Sequence, residues 1–232
     1  MKYKRILLKI SGESLAGEKK FGINDQIVNQ LAEVIKELVA KNVEVGIVIG
    51  GGNFWRGRSN PGMDRVAADQ IGMLATTMNA MAVADALNQH GVVTRVLNAI
   101  SMSQICEPYI RLRAMRHLEK GRVCIFAGGT GSPFFTTDSA AALRASEICA
   151  DVMLKATLVD GVYDSDPNVN PKAERYRELS FDQVLSMNLK VLDATAAALC
   201  RDNNVPLVVF SIADPYNIIK IVEGEDIGTV VH

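Results

Sequence analysis

The chain has 232 residues, 48% of them hydrophobic and 22% charged, with a formal net charge of -1. That balance fits a globular fold with a sizeable core and carries no electrostatic footprint for DNA, RNA or an anionic membrane surface. The four cysteines, Cys106, Cys124, Cys149 and Cys200, show no C-x-x-C pairing, so they are expected to be small buried hydrophobes of a reducing compartment and neither a disulfide frame nor a zinc site.

Strand and helix patterns alternate from end to end. Apolar, β-rich runs predict strands at residues 6–10, 43–49, 92–97, 123–126, 152–154 and 207–210. The first follows a basic start whose apolar run is too short for a signal-peptide core, and nowhere is there a spanning-length apolar segment. A cytoplasmic protein without a membrane span is expected. Ile27, Leu31, Val34, Ile35, Leu38 and Val39 share one helical face, with Asn24 or Asp25 as cap. A second helix is predicted over 64–89, stopped at Gly91. The basic run 111–120 reads as a solvated helix face. A third long helix is predicted from Thr137-Asp138-Ser139 through 140–150. Ser180 with Gln183 makes a capping box, and Asp214-Pro215 reads as an N-cap followed by proline at the first helical position.

Continuous apolar strands between helices predict an α/β fold: a three-layer α/β/α sandwich with a mainly parallel central sheet, read as a single domain over 1–232. Residues 157–163 are expected to form a tight hairpin about Asp160-Gly161, and 164–172 an exposed polar loop of functional interest.

A lysine–Ser–Gly turn, Lys9-Ile10-Ser11-Gly12, and two glycine-rich strand ends, Ile49-Gly50-Gly51-Gly52-Asn53 and Ala127-Gly128-Gly129-Thr130-Gly131, carry the chemistry. Glycine lets a backbone come close to phosphate, and N–H groups at helix starts attract anions. No G-x-x-x-x-G-K-[ST], no G-x-G-x-x-G after the first strand, and no H-R-D or D-F-G is present, which removes the P-loop, dinucleotide-binding and protein-kinase schemes. Lys9, Arg56 and Lys155 remain as cations at strand ends, where ligands of open α/β sheets gather. Two lysines there can neutralise a transferring phosphoryl group. Asp138 and Asp193 are the acidic candidates beside them; each could equally cap the helix it begins or precedes. Phe134 and Phe135 could bind a ligand, with at least one of them expected in the core, and Tyr163 could simply pack on the hairpin.

Over essentially its whole length the chain resembles the bacterial UMP kinases of the amino-acid kinase family. The resemblance rests on residues 9–15, on 50–57, on Gly72-Met73-Leu74-Ala75-Thr76 with Asn79, on 128–138 and on 155–163. It implies transfer of a phosphoryl group from Mg·ATP to UMP. Lys9, Ser11, Gly12 and Gly52 would hold the β- and γ-phosphates of ATP, with Arg56 alongside. Lys155 would meet the transferring group, and Thr157, Tyr163 and Asp166 would frame adenine and ribose. Gly51, Arg56, Asp69, Thr130, Gly131, Ser132, Pro133, Phe134, Phe135, Thr136 and Thr137 would hold UMP. Asp138 and Asp193 would organise the lysines. Mg²⁺ would be held chiefly by nucleotide phosphates and water, since no dense carboxylate cage appears. A homohexamer, inhibition by UTP and activation by GTP are also implied.

Ser132 stands where the family more often has Asn, and the loop 58–62 is short. Two rival expectations are a kinase for a carboxylate or carbamate acceptor and a non-catalytic nucleotide-binding or storage protein. Arg56 with Asp69 and 130–137 argues against the first, and both lysines argue against the second.

Overall fold

The computed structural model describes residues 1–55, 62–167 and 169–232. In chain order the larger elements are β1 (Arg5–Ile10), α1 (Gly12–Ala16), α2 (Asp25–Ala40), β2 (Glu44–Ile49), α3 (Arg65–Gln89), β3 (Thr94–Asn98), β4 (Glu107–Pro108), α4 (Arg111–Glu119), β5 (Val123–Ala127), α5 (Thr137–Glu147) and β6 (Val152–Thr157). They continue with β7 (Val162–Tyr163), β8 (Arg175–Tyr176), β9 (Glu178–Leu179), α6 (Phe181–Ser186), α7 (Ala194–Asp202), β10 (Leu207–Ser211), α8 (Asn217–Glu223) and β11 (Thr229–Val231).

Among the described residues one sheet runs β4-β3-β5-β2-β1-β6-β10-β11-β9. Its neighbours are parallel except β10 and β11. Helices cover both faces, as the near-continuous apolar strands predict. On one face Ile6, Leu8 and Ile10 of β1 and Val152, Leu154 and Ala156 of β6 pack in a core with α2, α3 and α8. On the other, Leu7 and Met153 pack with α5 and α7. Side chains alternate along a strand, so Lys9 and Lys155 share the face of Leu7 and Met153 and point toward α5 and α7.

Side chains cap several of the helices. Asn24 caps α2 and Asp64 caps α3, and Ser180 with Gln183 forms the expected capping box at α6.

Four expectations are corrected. Residues 157–163 are not a hairpin about Asp160-Gly161: Thr157 ends β6 in the main sheet, and β7 pairs antiparallel with β8 across the 164–174 loop. A Cβ on Gly161 would lie 2.6 Å from Thr229 Oγ1, so this glycine serves close packing against β11. Asp214 does not cap α8. It accepts from Tyr216 N at 3.0 Å and organises the preceding turn, and the helix begins at Asn217. Lys155 lies inside β6 instead of following it, because β6 runs on to Thr157. Finally, Cys149 is exposed, at φ 53 just past α5. The other three cysteines are buried, and burial pushes the thiols of Cys124 and Cys200 up to about 12.

Candidate active site

β1 lies between β2 and β6, so the chain leaves it on one side and returns on the other. The crevice outside the carboxyl ends of those strands is where ligands of open α/β sheets bind. Lys9 and Lys155 are direct register partners across that junction. Their ammonium groups meet the two oxygens of one carboxylate: Lys9 Nζ lies 2.7 Å from Asp138 Oδ1, and Lys155 Nζ 2.6 Å from Asp138 Oδ2. Lys155 also donates to the carbonyl of Val191. Asp138 Oδ1 accepts no aligned hydrogen bond, so Lys9 is held there by charge.

Burial by itself would push the Asp138 carboxyl up, but the charges of Lys9 and Lys155 outweigh it and hold it below the usual carboxylate range. Burial pulls the Lys155 ammonium down, a shift that Asp138 opposes and Lys9 reinforces. Two ammoniums meet one carboxylate in a poorly solvated place, with the charge of Asp193 acting on Lys155 from farther off. An arriving phosphate would find two ammonium donors held in place there.

Asp138 is not the cap of α5. Thr136 is, its hydroxyl accepting from Asp138 N and Ser139 N at 3.1 and 3.3 Å, which frees the Asp138 side chain for the lysines. Asp193 does cap its helix: Oδ1 accepts from Ala196 N at 2.8 Å. It also accepts from the hydroxyls of Thr136 and Ser139. Asp193 therefore ties the start of α7 to the start of α5 and acts on Lys155 through its charge.

Glycine turns flank the lysines. Ser11 caps α1 by accepting from Ser14 N at 3.1 Å. A Cβ on Gly12 would collide with Asn53 Oδ1 and come within 2.7 Å of Gly50 O and Gly52 N. Backbones approach here as closely as glycine permits. A cavity of about 740 Å³ opens beside Ser11 and Ser14, walled by Leu15, Leu158, Ile212 and Pro215. It is large enough for a small organic ligand. Tyr163 and Asp166 are not among its walls. Tyr163 donates to Asp160 Oδ1 at 2.6 Å, and Thr157 donates to Val159 O at 2.6 Å.

A second cavity, of about 120 Å³, lies on the other side of the glycine turns. Gly51, Asp69, Thr130, Ser132, Phe135, Thr136 and Thr137 of the expected acceptor set line it, together with Trp55 and Gly72. Asp69 Oδ2 accepts from Arg65 Nε and from Phe134 N, both at 2.8 Å, so α3 fixes the 130–137 segment. Gly131, Pro133 and Phe134 are not in the wall. Neither Phe134 nor Phe135 is core: they are 63% and 48% exposed, because the segment runs over the surface between β5 and α5. Phe134 adopts φ 72, a conformation costly for a bulky side chain. Arg56 and most of the short loop lie outside the described residues.

Several residues that sequence reasoning left without a role support this site. Thr76 Oγ1 accepts from Gly128 N at 2.9 Å, linking α3 to the turn after β5. Asn53 and Asn79 are buried and bonded to one another. The signal was present in the sequence: Thr76, Thr77 and Asn79 are polar residues on the inward side of a helix otherwise packed through alanine, valine and leucine.

Among the described residues no group of three or more His, Cys, Asp or Glu is arranged to hold a metal. The site offers cations and backbone N–H groups, a donor set that suits polyphosphate.

The amino acid kinase family model matches residues 4–211. The crystal structure of UMP kinase from Bacillus anthracis is 41% identical with a TM-score of 0.96, covering 100% of this chain and 97% of that one. UMP kinase from Ureaplasma parvum is 43% identical with a TM-score of 0.93, covering 100% and 99%. Uridylate kinase from Archaeoglobus fulgidus is 30% identical with a TM-score of 0.75, covering 98% and 99%. With the sheet order, the paired lysines and a family match over nearly all its length, the chain belongs to the amino acid kinase family.

Proposed function

We propose that this protein transfers the γ-phosphoryl group of Mg·ATP to the phosphate of UMP, giving ADP and UDP. The observation that carries this reading is the pair Lys9 and Lys155, in register on β1 and β6 and sharing Asp138, with Ile10, next to Lys9, walling the larger cavity and Thr137, next to Asp138, the smaller. UMP as acceptor is supported by the three similar enzymes and by Thr130, Ser132, Phe135, Thr136 and Thr137 lining the smaller cavity.

A phosphate monoester has a second pKa near 6, so the attacking oxygen of UMP is already anionic and needs no general base. A bond forms from that oxygen to the γ-phosphorus as the bond to the β–γ bridging oxygen breaks, and its electron pair leaves with ADP. The obstacle is repulsion between two polyanions. Lys9, Ser11, Gly12 and Gly52 would hold the donor phosphates and Lys155 the transferring group, with Arg56 at the acceptor phosphate. Magnesium would arrive with the nucleotide and screen its charge, held by phosphates and water. Thr157, Tyr163 and Asp166 are assigned to the adenosine end, and Leu158, one residue past Thr157, walls the larger cavity.

A place in pyrimidine nucleotide synthesis in the cytoplasm, a homohexamer, inhibition by UTP and activation by GTP belong to the same proposal. Assembly has separate support in the exposed stripe Leu74, Met78 and Met81 along α3, apolar residues at helical spacing facing outward.

ADP release from Mg·ATP with UMP, CMP, dUMP, AMP, acetylglutamate and carbamate tests the reading. Turnover confined to UMP is expected. Preference for another acceptor would overturn the base assignment, and tight nucleotide binding without turnover would overturn catalysis.

A further inference from the structure

Asn53 and Asn79 sit at 1% and 0% exposure, and their amides face each other. Asn53 Nδ2 donates to Asn79 Oδ1 at 2.9 Å and to Gly22 O at 2.7 Å. Asn79 Nδ2 donates to Asn53 Oδ1 and to Gly50 O, both at 2.7 Å. The orientation is forced: Gly22 O and Gly50 O are acceptors, so each amide must turn its nitrogen toward a carbonyl and its oxygen toward its partner. All four N–H donors of the pair are then used, which is the condition for a buried polar network to rigidify its surroundings.

What the pair grips is the donor side of the candidate site. Gly50 directly follows β2, and its N–H donates to Ile10 O at 2.9 Å. Asn53 Oδ1 lies directly against Gly12. Gly22 N returns a bond to Asn53 O at 3.2 Å, and Phe21 packs edge-on against Phe54 with ring centroids 5.6 Å apart. One amide pair thus joins the start of α1, the turn after β2, the middle of α3 and the Phe21–Gly22 segment.

We infer that Asn53 and Asn79 are positioning residues for phosphoryl transfer: their paired amides set the Gly50–Gly52 turn against Gly12, and lock the Phe21–Gly22 segment to it. The inference rests on the phosphoryl-transfer reading above. Neither side chain touches substrate in this scheme. They act through the glycine backbones, where a displacement on the order of 1 Å costs about 10²-fold in rate.

The test compares Asn79→Leu, which keeps the shape and removes every donor and acceptor, with Leu38→Ala, which destabilises the core from α2. Both are assayed with the folded fraction measured by circular dichroism. Asn79→Leu is expected to lose at least about tenfold in kcat and in ATP affinity measured by calorimetry, with KM for UMP changed less than about threefold. Leu38→Ala should keep the kcat of the parent. Asn53→Ser should show the same split and a faster-exchanging Gly22 amide. In the parent protein, ATP should slow exchange at Gly22 N–H. Equal kcat in Asn79→Leu and Leu38→Ala, or Gly22 exchange indifferent to ATP, would overturn the inference. A parent protein without turnover would instead sink the reaction, and the calorimetry and exchange arms would still decide the role of the pair.

Discussion

Lys9 on β1 and Lys155 on β6 are register partners in adjacent parallel strands, and one carboxylate, Asp138, sits between their ammonium groups. Parallel register puts equivalent side chains on the same face, so the sheet itself fixes the separation of the two charges. α5 then delivers Asp138 from its second residue, because Thr136 has taken over the capping. The result is a charge trap of two ammoniums on one carboxylate, with Asp193 acting on Lys155 from farther off, completed when phosphate arrives.

Removing either lysine should cost catalysis more than fold. Lys155→Met and Lys9→Met are expected to lower kcat by about 10²–10³-fold, the usual cost of deleting one group that stabilises transition-state charge. Asp138→Asn should do the reverse in part: two buried ammoniums are left facing each other, destabilising the fold by about 3–5 kcal/mol. Thermal melts would check this, and ATP should raise the melting temperature of Asp138→Asn by more than it raises that of the parent. Equal ligand-induced shifts in the two proteins would contradict the charge-trap account.

The pH dependence has a definite sign. Asp138 is held below the ordinary carboxylate range, so its contribution to stability is complete above the unfolded value of about 3.9 and is lost as pH falls through the lower folded value. Lys155 is pulled below the ordinary lysine value. Between that folded value and about 10.4 the unfolded chain binds more protons, so its contribution to stability rises with pH there. In catalysis it should set an alkaline limb of kcat/KM below the range of a free lysine. Bound phosphate favours the ammonium, so the limb of kcat should lie higher. A kcat/KM profile flat to pH 10 would exclude this assignment.

The glycine turns separate into rigid and yielding contacts. Gly12→Ala drives a Cβ into Asn53 Oδ1 and the backbones of Gly50 and Gly52, none of which can retreat without opening the turn. It should raise KM for ATP at least about tenfold and destabilise by about 1–3 kcal/mol. Gly52→Ala meets the carboxylate end of Glu13, a side chain able to swing away, so its stability loss should stay under about 1 kcal/mol. Steady-state kinetics and urea unfolding of the two variants would discriminate. Equal destabilisation would refute the distinction.

Asp193 joins two helix starts, so its loss should be felt in both. Asp193→Ala removes the α7 cap and the acceptor for Thr136 and Ser139, with an expected cost of about 2 kcal/mol. Asp193→Asn keeps a capping oxygen and should recover most of that stability. If Asn and Ala melt alike, charge and not capping is what the fold needs from this position.

The sequence alone determined the alternation of strands and helices, the two-sided burial of the sheet and the glycine-lysine strand ends, because these follow from local periodicity and from backbone space that glycine supplies. Caps at Asn24 and Ser180 were legible for the same reason, each being a contact over three residues or fewer. The 157–163 hairpin was misread because Val162 has a better partner in Tyr176, fourteen residues on, than in its own neighbours. Phe134 and Phe135 were misplaced because hydrophobicity does not report which segment crosses the surface. Asp138 and Asp193 were indistinguishable as sequence, each at a helix start. Only the tertiary structure decided that Asp138 faces two lysines from distant strands while Asp193 caps and ties. Charges brought together across 129 and 17 residues of chain are set by packing of the sheet against α5, and no local rule contains that information.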